Sequence, residues 1–236
     1  MLVGSKKAQD GNRQLSLTFE EIEKTMVKSE RAVPTRRRRT SQGEQTRQTI
    51  LQMAVDIASA EGLEGLSLGR LAAELGMSKS GLFAHFGSKE ELQLATIETA
   101  LAIFSAQVIQ PAQSTPPGMA RLQALCDAWL SYMERENFRG GCFIAAVTPE
   151  FDSRPGAVRD RIAELMNQWF EILGQFIREA QELGELDSNV DTTQLAFEIH
   201  ALMWGANWML QLHSDRQAIT RAKTAISHRL QSVTTK

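Results

Sequence analysis

Cysteine is nearly absent from this chain of 236 residues: Cys126 and Cys142 are the only two, and they form no C-x-x-C pair. A disulfide scaffold and a cysteine-based metal knuckle are thereby excluded. The default is a reducing, cytoplasmic compartment with both thiols as small core residues, redox sensing being the lesser reading. Histidine is scarce too. His200, His213 and His228 are scattered, with no i, i+4 pair beside a carboxylate, so no metal site and no cofactor are expected. The chain also lacks paired carboxylates, a nucleophile–base pair and a phosphate loop, which disfavours an enzyme. No signal-peptide h-region opens it, and no apolar run is long enough to cross a bilayer. Alternating strand patterns, repeats and low-complexity tracts are missing as well. Against these absences, a hydrophobic fraction of 42% is enough for a packed core and excludes wholesale disorder. The expected fold class is all-α.

The net charge of −2 is unevenly distributed. From Arg31 to Glu91 nine basic residues face seven acidic ones, residues 1–30 balance, and residues 92–236 hold twelve basic against sixteen acidic. Positive charge therefore gathers around one segment, with Arg36, Arg37, Arg38 and Arg39 in a row just ahead of it.

That segment reads as two short helices joined by a tight turn. Ser67 is placed to N-cap a helix whose Leu68, Leu71, Ala72 and Leu75 share a face. Gly76 stands where a helix end needs a left-handed residue, and Ser78 caps the next helix at once. The second helix turns Leu82, Phe83 and Phe86 inward and leaves Lys79, Ser80, Gly81, Ala84 and His85 outward. Short, polar on its free face and without catalytic groups, it has the layout of a helix-turn-helix DNA reader. His85 either contacts DNA or sits at the helix C-terminal end, where a cation is favoured.

Other elements follow from periodicity and caps. A helix over 44–61 carries Ile50, Ala54, Ile57 and Ala58 on one face and ends at Gly62. Ser88 and Glu91 have capping-box spacing and launch a helix to about residue 109, after which Pro111, Pro116 and Pro117 impose a loop. Further helices are expected at 119–136, 141–149, 158–183, 192–212 and 215–230. The organisation expected is a flexible basic arm over 1–41, a DNA-binding unit over 42–91, and a helical effector-binding and dimerisation domain over 92–236. Within the arm, a brief helix at 19–28 has capping-box spacing at Thr18 and Glu21, and Met26 offers an alternative translation start.

The helix at 192–212 is apolar on two faces. One face holds Leu195, Ile199, Leu202, Met203 and Ala206; the other holds Phe197, Ala201, Trp204, Gly205, Trp208 and Leu212. Such a helix is buried on most of its circumference, which points to a second copy of the chain on the second face. Ile219, Ala222 and Ile226 of the last helix are the partner stripe expected in that interface. Trp129, Met133, Phe143, Met166, Trp169, Phe170, His200 and Trp204 are either plain core or the lining of an effector pocket. With few buried charges on offer, the ligand would be apolar or amphipathic.

The run from Thr46 to Ala95, above all L-S-L-G-R-L-A-A-E-L-G-M-S followed by S-G-L-F-A-H-F-G-S-K-E-E-L, resembles the tetracycline-repressor (TetR) family of bacterial one-component regulators. The resemblance implies a homodimer whose recognition helices enter successive major grooves of a near-palindromic double-stranded operator, released by a small-molecule effector. Carried over by position, Lys79, Ser80, Gly81, Ala84 and His85 face the groove or its rim. Ser67 and Lys89 would contact phosphate, Lys89 with the helix N-terminus assisting. The chain departs from the family at Gly69, Gly81, Phe83 and Ala84, which removes hydrogen-bonding side chains from the reading surface. Compensation by Arg36 to Arg39 is expected, either in a neighbouring minor groove or by general attraction to phosphate; a solvated charge run is the plainer reading. A weakly selective DNA-binding protein without an effector is the alternative function.

Overall fold

The computed structural model describes residues 41–135 and 137–235. Arg36, Arg37, Arg38 and Arg39, the helix expected at 19–28, and Met26 lie outside them. The described chain is built of helices, and the nearest thing to a strand among these residues is a single antiparallel bridge between Leu186 and Thr234.

Helix α1, Ser41–Gly65, buries Ile50, Ala54, Ile57 and Ala58 as their spacing requires. Gly62 does break it, with φ 77° and ψ 165°, but a further helical turn follows before the chain leaves at Gly65. Helices α2 (Leu68–Leu75) and α3 (Lys79–Phe86) are capped as the sequence predicts. The Ser67 hydroxyl accepts from Arg70 N, the Ser78 hydroxyl accepts from Gly81 N, and Gly76 is left-handed at φ 62°. Ser88 likewise caps α4, Lys89–Phe104, by accepting from Glu91 N.

Helix α4 does not stop where Pro111 was expected to end it. It widens into a π-helical turn, Ser105–Ile109, and closes with one α-turn, Gln110–Gln113, that includes the proline. Proline has no N–H to give, and its ring crowds the carbonyl four residues back. The wider turn, in which Gln110 N–H reaches the Ser105 carbonyl, relieves that crowding and lets the rod continue. Helices α5 (Met119–Glu134), α6 (Phe143–Phe151), α7 (Ala157–Glu182), α8 (Thr192–His213) and α9 (Gln217–Ser232) complete the chain.

The first three helices pack around Ile50, Leu71, Leu82 and Phe86, and this core runs without a gap into that of the later helices. α4 crosses residues 91 and 92 uninterrupted, and its Gln93 donates to the Leu63 carbonyl at 2.9 Å. The segment between α5 and α6 also grips α1. Arg139 N and Nε donate to the two Asp56 carboxylate oxygens at 3.1 and 2.5 Å, and Gly140 N donates to the Ser59 hydroxyl at 3.1 Å. Its far end is tied to α8, where Cys142 N donates to Asn207 Oδ1 at 3.3 Å.

Candidate nucleic-acid interface

Local chemistry dictates which side of the reader is free. Leu71 and Ala72 of α2 and Leu82 and Phe86 of α3 are buried, which leaves Lys79, Ser80 and Ala84 exposed and Gly81 and His85 half-exposed. All five residues assigned to the reading face therefore stand together on α3. Phe83 is a correction. Expected to point inward, it is 50% exposed, because Leu82 and Phe86, four residues apart, already fill the inner face of so short a helix. Phe83 adds a flat apolar surface beside Ala84. Gly81 is pinned by its neighbour, since a Cβ there would sit 3.0 Å from the Ser78 hydroxyl oxygen that caps the helix.

The two residues assigned to phosphate have partners within the chain. Ser67 is exposed but spends a lone pair on its cap. The Lys89 ammonium donates to the Glu64 carbonyl at 2.9 Å and to its carboxylate at 3.1 Å. That ammonium holds the Glu64 carboxyl below the usual carboxylate range. Arg47, on α1, lies over the Phe86 ring at 5.1 Å and brings a further cation to this end of the molecule. Only its charge marked it beforehand, because the ring it covers is 39 residues away in sequence.

Beyond α4 lies a cluster of rings. Phe104, at the end of that helix, meets Trp129 at 6.2 Å, Tyr132 at 5.4 Å and Trp169 at 5.6 Å, all edge-on. Trp129 and Trp169 stand 4.9 Å apart. His200 is enclosed by Trp129, Phe170 and Trp204 at 5.7, 4.9 and 5.3 Å, and its Nδ1 accepts from Trp169 Nε1 at 3.2 Å. Five of the eight residues assigned to a pocket thus meet here. Met133 and Phe143 are buried in the same core as Trp129 and Trp169, and Met166 is half-buried against it. Phe104 is the member that periodicity missed. The rings pack on one another, and an open indentation of about 220 Å³ lies elsewhere, between α5 and α9 beside an Asp127–Lys223 ion pair. Burial pushes the Cys126 thiol up to about 12 and Cys142 upward as well, which suits core residues rather than reactive thiols.

Burial lowers the His200 pKa to about 4, so the imidazole is neutral in the folded protein. An unfolded imidazole takes its proton below about pH 6.5. Between those values the unfolded chain binds the extra proton, so the folded state loses stability as pH falls through that window. In urea unfolding at about pH 7 and about pH 5, wild type should lose more stability on acidification than His200→Phe. Equal losses would remove His200 as the source.

On α8, Phe197, Trp208 and Leu212 are 59%, 54% and 62% exposed, with Ala201 and Gly205 open between them and Trp204 half-buried. Ile219, Ala222 and Ile226 are a second correction. They are buried within the protomer. α9 has one apolar stripe, and the chain's own core takes it.

Residues 50–96 match the family model described as bacterial regulatory proteins of the tetR family, and residues 118–226 match the tetracyclin repressor-like C-terminal domain. The chain belongs to the TetR family. Among its relatives, the transcriptional regulator AcuR of Cereibacter sphaeroides is 24% identical over 151 residues, 63% of this chain and 68% of that protein. The repressor DrrR1 of Streptomyces coeruleorubidus is 47% identical over 58 residues, 23% of this chain and 22% of its own length. A crystal structure of a TetR regulator from Chloroflexus aurantiacus superposes with a TM-score of 0.77 at 25% identity, covering 83% of this chain and 98% of that one. TetR membership makes this chain a DNA-binding transcriptional regulator, and its all-α fold is a helix-turn-helix unit followed by a helical domain.

Proposed function

We propose that the protein is a homodimeric repressor that leaves a near-palindromic operator when an apolar or amphipathic small molecule enters the helical domain. The observation that carries this reading is the span of α4. Lys89, assigned to DNA phosphate, begins the helix, and Phe104, which touches three rings of the aromatic cluster, ends it. A helix of that length places them about 22 Å apart on one rod. A ligand that displaces Phe104 would pull on a helix whose other end is the DNA contact. The neutral His200 and its aromatic surroundings favour a ligand with little charge. Lys79, Ser80, Gly81, Ala84 and His85 are assigned to the groove and its rim, Ser67 and Lys89 to phosphate, with residues 42–91 as the reading unit and 92–236 as the effector and dimer unit.

The test is fluorescence anisotropy against duplexes from around the protein's own gene and against scrambled duplex, titrated with salt. Selectivity of about a thousandfold or more at physiological salt supports an operator reader, and a screened effector should abolish it. Phe104→Ala should keep the DNA affinity and lose the effector response. A second reading, weakly selective DNA binding, is favoured by Gly81, Phe83 and Ala84, none of which offers a side-chain hydrogen bond to a base. Equal affinity for both duplexes, collapsing steeply with salt, would select it.

A further inference from the structure

Glu64 stands at the exit of α1, between the helical domain and the DNA-reading unit, and every polar atom it owns is engaged. Its backbone N–H donates to Glu150 Oε1 at 2.8 Å, and the neighbouring Leu63 N–H donates to Glu150 Oε2 at 2.8 Å. Its carbonyl and Oε2 accept from Lys89 Nζ, and its Oε1 accepts from Gln93 Nε2 at 3.3 Å. Gln93 fixes the same turn by donating to the Leu63 carbonyl. The side chain, 46% exposed, is held by Lys89 and Gln93, while Glu150 of α6, on the other side of the domain junction, holds the backbone that carries it. Gly62 makes that tie possible. A Cβ at this position would stand 2.7 to 2.9 Å from the Glu150 carboxylate atoms, and the backbone there is left-handed at φ 77°.

We propose that Glu64 is an internal competitor for the DNA phosphate that Lys89 contacts, and that Glu150 is the positioning residue that holds it in place. This rests on the assignment of Lys89 to phosphate. An ammonium has three N–H groups, and Glu64 occupies two of them. A phosphate oxygen approaching the third also meets the Glu64 carboxylate, a like charge held a few ångströms away. Neutralising Glu64 as Gln leaves the carbonyl contact that orients Lys89, removes the repulsion, and weakens the competition to that of a neutral amide oxygen. Because the contact is to phosphate, the gain is the same on any DNA sequence. Glu150 lies on α6, so a movement of the helical domain that withdraws its carboxylate releases Glu64 and changes the charge presented to DNA. The helical domain thereby reaches the DNA contact by a second route, separate from the α4 rod.

The experiment is an anisotropy titration of the full chain with a fluorescein-labelled scrambled duplex across a salt series, using Glu64→Gln, Lys89→Met, Glu150→Gln and their pairs. E64Q should bind about two- to fivefold more tightly, the range of an exposed ion pair. K89M should bind more weakly, with the salt slope reduced by about 0.9. In the K89M background most of the E64Q gain should vanish. E150Q should tighten binding in the same direction and add nothing on top of E64Q. Unchanged or weaker binding by E64Q overturns the proposal, as does a gain that survives without Lys89 or an E150Q effect additive with E64Q. If K89M weakens binding while E64Q does nothing, the Glu64 inference alone falls. If K89M binds like wild type, the phosphate assignment falls and takes the inference with it. Should E150Q lose its cooperative unfolding transition, Glu150→Asp replaces it, keeping the charge but withdrawing it by one methylene.

Discussion

Trp208→Glu is expected to give a folded monomer that no longer holds an operator. Trp208 lies mid-stripe on α8 between Phe197 and Leu212, with Ala201 and Gly205 letting another helix approach closely. Three large side chains more than half exposed on one face are what a second copy would cover, and each contributes about 1.5–3 kcal/mol when fully buried. A carboxylate in the middle of that face would be desolvated in the dimer without a partner, a cost that only dissociation avoids. Folding of the protomer should survive, because the exposed side of Trp208 packs on nothing in its own core. In the proposed dimer the consequence for DNA is large, since two half-sites would be held by two linked readers and a monomer would keep only one. Sedimentation velocity and operator titration would check it together. A variant that stays dimeric, or a wild type that is monomeric, would send the dimer face elsewhere.

The second large effect is expected from one methyl group. Gly140→Ala would place a Cβ 1.7 Å from the Ser59 carbonyl oxygen and 2.2 Å from its carbon, both backbone atoms of α1. A flexible side chain could swing aside; the main chain of a buried helix cannot. The loop from Arg139 to Cys142 must then lift, losing the Arg139–Asp56 pair and the Gly140–Ser59 hydrogen bond together. Overpacking of this kind costs about 3 kcal/mol or more. Urea unfolding would show it, and Ser59→Ala supplies the comparison, since that change deletes the bond from Gly140 N–H and the one to the Asp56 carbonyl without forcing the loop away, and should cost about 1–2 kcal/mol. Equal losses in the two variants would mean that the close approach is not tight in solution.

Local chemistry was legible from the residues themselves. Ser67, Gly76, Ser78 and Ser88 each terminate or start a helix through a bond to a neighbour within a few positions, so the residue types alone place them. The reading face followed from those caps. Phe83 was misread because an eight-residue helix has room for one buried stripe, and three adjacent apolar candidates do not say which two fill it. Ile219, Ala222 and Ile226 were misread because an amphipathic stripe looks the same whether its own chain or a second copy covers it. The turn at Ser105–Ile109 went unseen because Pro111 reads as a stop, although a helix can also stretch around a proline. The grip on α1 had no local signal at all. Glu150 and Glu64, or Asp56 and Arg139, lie more than eighty positions apart, and charge alone gives no reason to pair them.

The four tryptophans are divided between two environments. Trp129 and Trp169 are buried in the ring cluster with the half-buried Trp204 at its edge, while Trp208 stands on the open face of α8, edge-on to His213. Indole emission shifts to the blue in apolar surroundings and to the red in water, so the protein carries two native optical reporters. The three clustered indoles, close enough to exchange excitation, register whatever disturbs the rings around His200. The solvent-facing indole registers whatever covers α8. A ligand and a second subunit would therefore write to different ends of one emission spectrum, with no label attached.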